Sequence, residues 1–217
     1  MEHPFKFKSE NNYSIVWNDQ KKCFILNLLN GQLIYYPNFF SLNKSNKLLH
    51  YFLETKKNIK WNQDVIRFFG KKNLLPRLTS WYGEPNLTYT YSGIKMTSNS
   101  WHKSILLDIN KRLENKTGHK FNSVLLNLYK DGNDYQGWHA DDEVELGKTP
   151  VIASLSFGAE RDFCFQSKTG ESKFSLQLNH GSLLIMKGEI QQNWKHALPK
   201  RKKIKTPRVN LTYRLII

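Results

Sequence analysis

Hydrophobic and polar positions change rhythm near residue 120. Before it, two stretches repeat with a helical period. Leu48, Leu49, Phe52 and Leu53 mark a helix over residues 43–55, with Ser41 or Asn43 placed to cap it. Ile105, Ile109 and Leu113 mark a second over residues 101–116, with Gly118 as its stop. Beyond residue 120 the period falls to two. Residues 123–130 carry Val124, Leu126 and Leu128 on one face and Asn127 and Tyr129 on the other. Residues 151–157, 162–166, 173–179 and 182–186 read as further strands, punctuated by Gly158, Gly170 and Gly181. The last strand, 207–217, sets Val209, Leu211, Tyr213 and Leu215 against Arg208, Asn210, Thr212 and Arg214. Helices first and many short strands afterwards predict a mainly β, α+β chain whose body is a sandwich, barrel or jelly roll. Residues 1–20 are polar and mixed, and read as a loose arm.

Composition narrows the partners. The 217 residues are 39% hydrophobic and 13% aromatic, enough for one well-packed domain without staples. The formal net charge is +15. Such an imbalance repels itself in a compact state and usually serves an anionic partner. Nucleic acid fits better than a membrane surface, because no long basic amphipathic helix stands out. Cys23 and Cys164 lie far apart in apolar surroundings and read as reduced, buried thiols. The N-terminal stretch has no apolar signal region, and no run approaches 18 apolar residues. The expectation is a soluble intracellular chain with no membrane partner, nuclear in a eukaryote and cytoplasmic in a bacterium.

Candidate chemistry begins at residues 136–142, QGWHADD. His139 and Asp141 are two residues apart, so an extended chain points both to one side. His196, in NWKHALP, follows several strands later. Two histidines and one carboxylate form a facial triad that leaves open positions on iron(II). His-x-Asp alone is a weak signal, and a surface turn is the competing reading. The final strand strengthens the case. Arg208 and Arg214 share a face about 20 Å from end to end. Arginines inside a barrel are costly unless they meet anions, and a dicarboxylate such as 2-oxoglutarate would satisfy one of them by a bidentate pair. If that face meets solvent instead, the arginines need no ligand. His180 reads as structural, at a strand start beside Gly181, and His50, His102 and His119 have no partner pattern.

The order and spacing of several motifs carry a resemblance. They are YGEPNLTYTYSG (82–93), NLYKDG (127–132), WHADDE (138–143), IASLSFGAERDFCF (152–165), HGSLLIM (180–186), WKHALP (194–199) and PRVNLTYR (207–214). Residues 82–217 resemble the AlkB family of nucleic-acid dealkylating dioxygenases, most of all its duplex-preferring DNA-repair homologues. The resemblance implies a double-stranded β-helix, a distorted jelly roll, with N-terminal helices packed on it and a nucleotide-recognition lid. It divides one compact chain into residues 1–60 (extension and helix), 61–120 (lid and supporting helix) and 121–217 (catalytic core). It implies His139, Asp141 and His196 as iron ligands. Asn127 and Tyr129 stand at the family's Asn-x-Tyr position against 2-oxoglutarate. The resemblance likewise implies Arg208 as the carboxylate-binding arginine, with Asn210, Thr212 and Arg214 completing the pocket. The implied cofactors are Fe(II), 2-oxoglutarate as cosubstrate, and O2. The implied reaction couples decarboxylation of 2-oxoglutarate to hydroxylation of an N-alkyl carbon, releasing formaldehyde from bases such as 1-methyladenine and 3-methylcytosine.

Residues for reading the base follow from the same resemblance. A base in a duplex must be flipped out to reach such a pocket. Tyr89 and Tyr91 alternate onto one face and are similar to the family's lid; aromatic core residues of a strand are the plainer reading. Asp142 matches a base-contacting position and would favour a cationic lesion, although it also fits a solvated loop. Phe69, Gly70 and Lys71, in RFFGK, resemble the finger loop that fills the vacated stack. Arg201, Lys202 and Lys203 resemble the basic stretch beside DNA, and as a bare charge run would be a solvated loop. Trp138 departs from many relatives, where a polar or smaller residue stands, and its bulk could shield the metal. The partner expected is DNA, double-stranded first, with single-stranded DNA or RNA as further candidates, and the chain is expected to be a monomer. The alternatives are a dioxygenase acting on RNA or protein, and a nucleic-acid-binding relative that has lost catalysis.

Overall fold

A computed structural model describes residues 3–8, 13–54, 58–68, 71–85, 87–91, 94–101 and 104–217, with backbone only at 66–68, 71, 88–91 and 94–97. Among them the chain forms, in order, β1 (Phe5–Phe7), β2 (Ser14–Asn18), β3 (Cys23–Leu28), β4 (Gly31–Tyr36), α1 (Leu42–Leu53), β5 (Val65–Phe68), β6 (Lys71–Leu74), β7 (Leu78–Gly83), β8 (Thr88–Tyr91), β9 (Ile94–Thr97), β10 (Asn99–Ser100), α2 (Ile105–Thr117), β11 (Ser123–Tyr129), β12 (Gln136–His139), β13 (Ile152–Gly158), β14 (Arg161–Ser167), β15 (Lys173–Leu178), β16 (Ser182–Gly188), α3 (Ile190–Asn193), β17 (Trp194–Leu198) and β18 (Arg208–Arg214). A nine-stranded sheet runs β10-β7-β11-β18-β13-β16-β4-β3-β2. A five-stranded sheet runs β1-β15-β14-β17-β12, and β5–β6 and β8–β9 are separate hairpins. The chain switches repeatedly between the two larger sheets, giving a jelly roll.

The two faces of the nine-stranded sheet have different jobs. Val124, Leu126 and Leu128 of β11, with Val209, Leu211 and Tyr213 of β18, point toward the helices. There they pack on Leu48 and Phe52 of α1 and on Leu106, Ile109 and Leu113 of α2. Each such side chain contributes about 1.5–3 kcal/mol by leaving water. The Tyr213 hydroxyl donates to the Leu106 carbonyl at 2.9 Å, tying β18 to α2. The opposite face meets the five-stranded sheet. Leu33, Tyr35, Leu184 and Met186 pack there on Phe165, Phe174, Leu176 and Trp194. Every residue of β11 and of β18 is consequently buried, on both faces.

Several local expectations meet a physical correction. Ser41 is the cap of α1, its hydroxyl accepting from the Lys44 N–H at 3.4 Å. The second helix begins at Ile105 rather than 101, because Trp101 is fully buried and its indole N–H donates to Glu84 at 3.3 Å. Gly118 closes it with φ 73°. Residues 1–20 are not a loose arm where the structure describes them. Phe5–Phe7 pairs with β15 and Ser14–Asn18 with β3, and Phe7 stacks on Tyr13 with centroids 3.7 Å apart. Such short strands leave no readable period; dispersed aromatics hold them. The β3–β4 hairpin had a sequence signal, Asn30-Gly31 between apolar runs. Asn30 has φ 60°, and a Cβ on Gly31 would meet Ile190 Cδ1 at 2.6 Å. Among the described residues no helix is long and apolar enough to cross a membrane.

Candidate active site

Where the interior between the sheets turns polar, β11, β12, β17 and β18 line one cavity. Its walls include Asn127, Tyr129, Gln136, His139, Asp141, His196, Arg208, Asn210, Thr212 and Arg214. His139 and His196 are a direct cross-strand pair between β12 and β17, with ring centroids 4.3 Å apart. Asp141 lies just past the end of β12 and is 1% exposed. One donor atom from each of these three residues lies within 4.8 Å of the others, a set able to hold a metal ion.

Neighbours orient each donor. The Nδ1 of His139 bonds the Gly137 carbonyl at 2.9 Å, which makes Nδ1 the protonated nitrogen and leaves the Nε2 lone pair facing inward. The Asp141 backbone N–H donates to the Gln191 side-chain oxygen at 2.9 Å. The Asp141 carboxylate takes a 2.7 Å bond from Arg214 on one oxygen, and its other oxygen lies 3.9 Å from His196 Nε2. Burial works to raise the Asp141 pKa, but Arg214 and the two histidines outweigh it and hold the carboxyl below the usual range. His196 packs against Phe163 and Phe165, and burial, with His139 alongside, pushes it down to about 3. Burial also lowers His139. Neutral imidazoles and an ionised carboxylate are the forms that coordinate metals.

The two arginines of β18 differ. Arg214 is matched by Asp141. Arg208 is 3% exposed, donates to the Ser156 hydroxyl at 2.9 Å and lies over the Tyr129 ring at 5.4 Å. Its Nε is buried with no hydrogen-bond partner, and among the described residues it makes no ion pair. Burial lowers its pKa to about 10, so it stays cationic at neutral pH. A buried cation without a counter-charge fits an anionic ligand. Asn210 bonds Ser154 and the Leu155 carbonyl and receives the Thr212 hydroxyl, which fixes the polar wall beside it. Donor set and unmatched arginine together suit iron(II) and a carboxylate cosubstrate. The free space is small, about 30 Å³, or room for about two waters. Gln136 spans it, 2.9 Å from His139 Nε2 and 3.3 Å from the Tyr129 hydroxyl.

Other expected residues lie elsewhere. Asp142 is exposed, paired with Lys168 at 2.8 Å, and does not line the cavity. Arg201 is held by Asp162 at 2.7 and 2.9 Å, while Lys202 and Lys203 are exposed. Trp138 is 48% exposed and outside the lining, so it does not shield the donors. Phe69 and Gly70 lie outside the described residues, as do the side chains of Lys71, Tyr89 and Tyr91. Cys23 is buried and Cys164 partly so, both free. His180 is structural: its Nδ1 accepts from the Gly158 N–H at 2.9 Å.

Sequence reasoning missed Gln136, Gln191, Arg77 and Arg161. Arg77 is buried and donates to Asn127 at 2.8 Å. Arg161 donates to the carbonyls of Asp131, Asp134 and Pro199, joining two loops. Arg161 stands in a motif already noted; an isolated Arg77 gave no signal.

Comparisons with known proteins agree with this geometry. Residues 32–214 match the 2OG-Fe(II) oxygenase superfamily. The chain is 42% identical over 216 residues to "DNA oxidative demethylase ALKBH2" of Arabidopsis thaliana, covering 86% of this chain and 67% of that one. It is 41% identical over 190 residues to "Alpha-ketoglutarate-dependent dioxygenase alkB homolog 3" of Mus musculus, covering 83% of this chain. It spans 65% of the length of that mouse relative. The solved structure of OsALKBH1 superposes with TM-score 0.60 at 14% identity, over 88% of this chain and 99% of that one, a likeness of fold. The chain therefore belongs to the 2OG-Fe(II) oxygenase superfamily, as a member of its AlkB family of dioxygenases.

Proposed function

We propose that this chain is an oxidative demethylase that removes N-alkyl groups from DNA bases such as 1-methyladenine and 3-methylcytosine. The observation that carries the reading is one cavity containing both the His139–Asp141–His196 donor set and the unmatched cation of Arg208. Relatives at 42–45% identity that bear the name DNA oxidative demethylase support the substrate class.

His139, Asp141 and His196 would hold Fe(II). When bound, iron, 2-oxoglutarate and O2 supply the oxidant that inserts oxygen into a strong N-alkyl C–H bond. Arg208 would take a carboxylate of 2-oxoglutarate, with Asn127, Tyr129, Asn210 and Thr212 around it. Arg214 keeps Asp141 ionised and aimed. The hydroxylated alkyl group then leaves the base as formaldehyde.

A duplex base must be flipped to arrive here. Tyr89 and Tyr91 on the β8–β9 hairpin are proposed to stack on it, and Phe69, Gly70 and Lys71 to fill the gap it leaves. Lys202 and Lys203, with Arg201 braced by Asp162, would meet phosphates. Asp142 would reach a cationic base only by leaving Lys168. Double-stranded DNA is the favoured substrate and a monomer the favoured state. The test is formaldehyde release from 1-methyladenine oligonucleotides with Fe(II) and 2-oxoglutarate, in matched single-stranded DNA, duplex DNA and RNA. Release from duplex DNA is expected. Release from RNA alone, or from none, would overturn the reading.

A further inference from the structure

A second cationic surface lies behind the nine-stranded sheet. Tyr36, Phe39 and Phe40 belong to the apolar layer on the helix side of that sheet, the face opposite the cavity. Two open clefts border them, of about 440 and 420 Å³, and share Arg112 and Asn115. Their rims carry exposed Lys21, Lys22, Lys44, Lys111, Arg112 and Lys116. Of the acids nearby, Asp19 is already bound to Lys22 at 2.9 Å, and Asp108 is exposed.

Two of these cations are held in place. The Arg112 guanidinium sits 5.2 Å from the Phe39 ring centre and 4.9 Å from that of Phe40, and donates to the Phe39 carbonyl at 3.3 Å. The Lys116 ammonium lies 4.8 Å over Tyr36. Stacking on rings fixes a long side chain while leaving its outer side open to an anion. Gln20, Asn38 and Asn115 add amide donors of the kind that bind phosphate oxygens. The aromatic residues are themselves buried, so bases have no exposed ring to stack on.

We infer that this groove binds the phosphodiester backbone of nucleic acid, at a second contact separate from the cavity. The inference rests on the nucleic-acid reading above. A segment engaged at the cavity cannot also lie behind the sheet, so the groove takes a more distant stretch or a second molecule. It adds affinity without reading sequence.

The experiment compares binding of unmodified duplexes of about 12 and about 60 base pairs, roughly 40 and 200 Å long at 3.4 Å per step. The variants are Lys21→Glu/Lys111→Glu/Lys116→Glu and the milder triple Gln replacement, with thermal unfolding as the folding control. For the longer duplex, charge reversal should cost at least about tenfold at low salt. It should also lower the slope of log K against log salt by about two to three, with the Gln variant intermediate. The shorter duplex should keep its contact at the cavity and lose its second binding equivalent on the charge-reversed variant. Wild-type protein that binds the long duplex while both variants match it in affinity and slope overturns the groove alone. Wild-type protein that binds neither duplex overturns the groove and the nucleic-acid reading together. A variant that loses binding to phosphatidylserine vesicles but not to DNA assigns the groove to a membrane surface and overturns it for nucleic acid.

Discussion

The space between the two sheets is apolar at one end and polar at the other, and the same strands serve both. At the apolar end Phe165 stacks on Phe174 with centroids 4.8 Å apart, and Leu176 and Leu184 close around them. At the polar end Arg214 meets Asp141, and Arg208 makes no ion pair among the described residues. Met186 belongs to both, packed in the apolar cluster and lining the cavity. One end stabilises the fold by removing hydrocarbon from water. The other spends stability on buried charge, which is tolerated only where partners or ligands match it. The two ends should therefore separate under mutation into stability effects and binding effects.

The sharpest way to break that separation is a paired measurement. Asp141→Ala removes a proposed iron ligand and breaks the buried ion pair with Arg214. It should abolish 2-oxoglutarate turnover and cost about 3–5 kcal/mol of stability. Leu176→Ala, fully buried at the apolar end, should cost about 2–5 kcal/mol. Its turnover per folded molecule should stay near wild type. Denaturant melts and 2-oxoglutarate consumption decide the matter, and equal loss of turnover in both variants would merge the two regions. Next in size is Arg208→Met. Losing two charge-assisted hydrogen bonds at about 1.5 kcal/mol each predicts roughly 150-fold weaker 2-oxoglutarate binding. Thermal stability should hold or rise, because an unmatched buried cation is gone. A large fall in Tm with unchanged cosubstrate affinity would make Arg208 structural.

The apolar end was the less legible of the two. Its helix-facing counterpart could be read from period alone, since Val209, Leu211 and Tyr213 alternate cleanly along β18. Period two also put Arg208 and Arg214 on one face, but could not say whether that face met water or the interior. Burial of both faces of β18 answers that, and it depends on a sheet assembled from distant segments. Leu33 and Tyr35 went unread because β3 and β4 are apolar on both sides, so no alternation marks them. Proximity of His139 and His196 was expected from chemistry, while their direct pairing across β12 and β17 is a matter of register. Asp142 follows Asp141 in sequence yet points elsewhere, because neighbouring residues of an extended chain face opposite ways.

Gln136 tests the comparison most finely, because it is a polar-end residue whose removal should strengthen binding. It sits three positions before His139, and a register irregularity between them brings both side chains to the same side. Its amide nitrogen lies 2.9 Å from His139 Nε2, the nitrogen whose lone pair a metal needs. Metal entry must break that contact, and a net hydrogen bond is worth about 0.5–1.5 kcal/mol. Gln136→Ala should therefore tighten Mn(II) binding by about 2- to 12-fold in a calorimetric titration. It should also enlarge the cavity, whose present volume is about 30 Å³. Its side-chain oxygen also accepts from the Tyr129 hydroxyl at 3.3 Å, and unfolding in denaturant reports what that contact adds to stability. If Mn(II) binds the variant more weakly than wild type, Gln136 supports the donor set rather than competing for it, and the polar end is preorganised to a degree its free volume conceals.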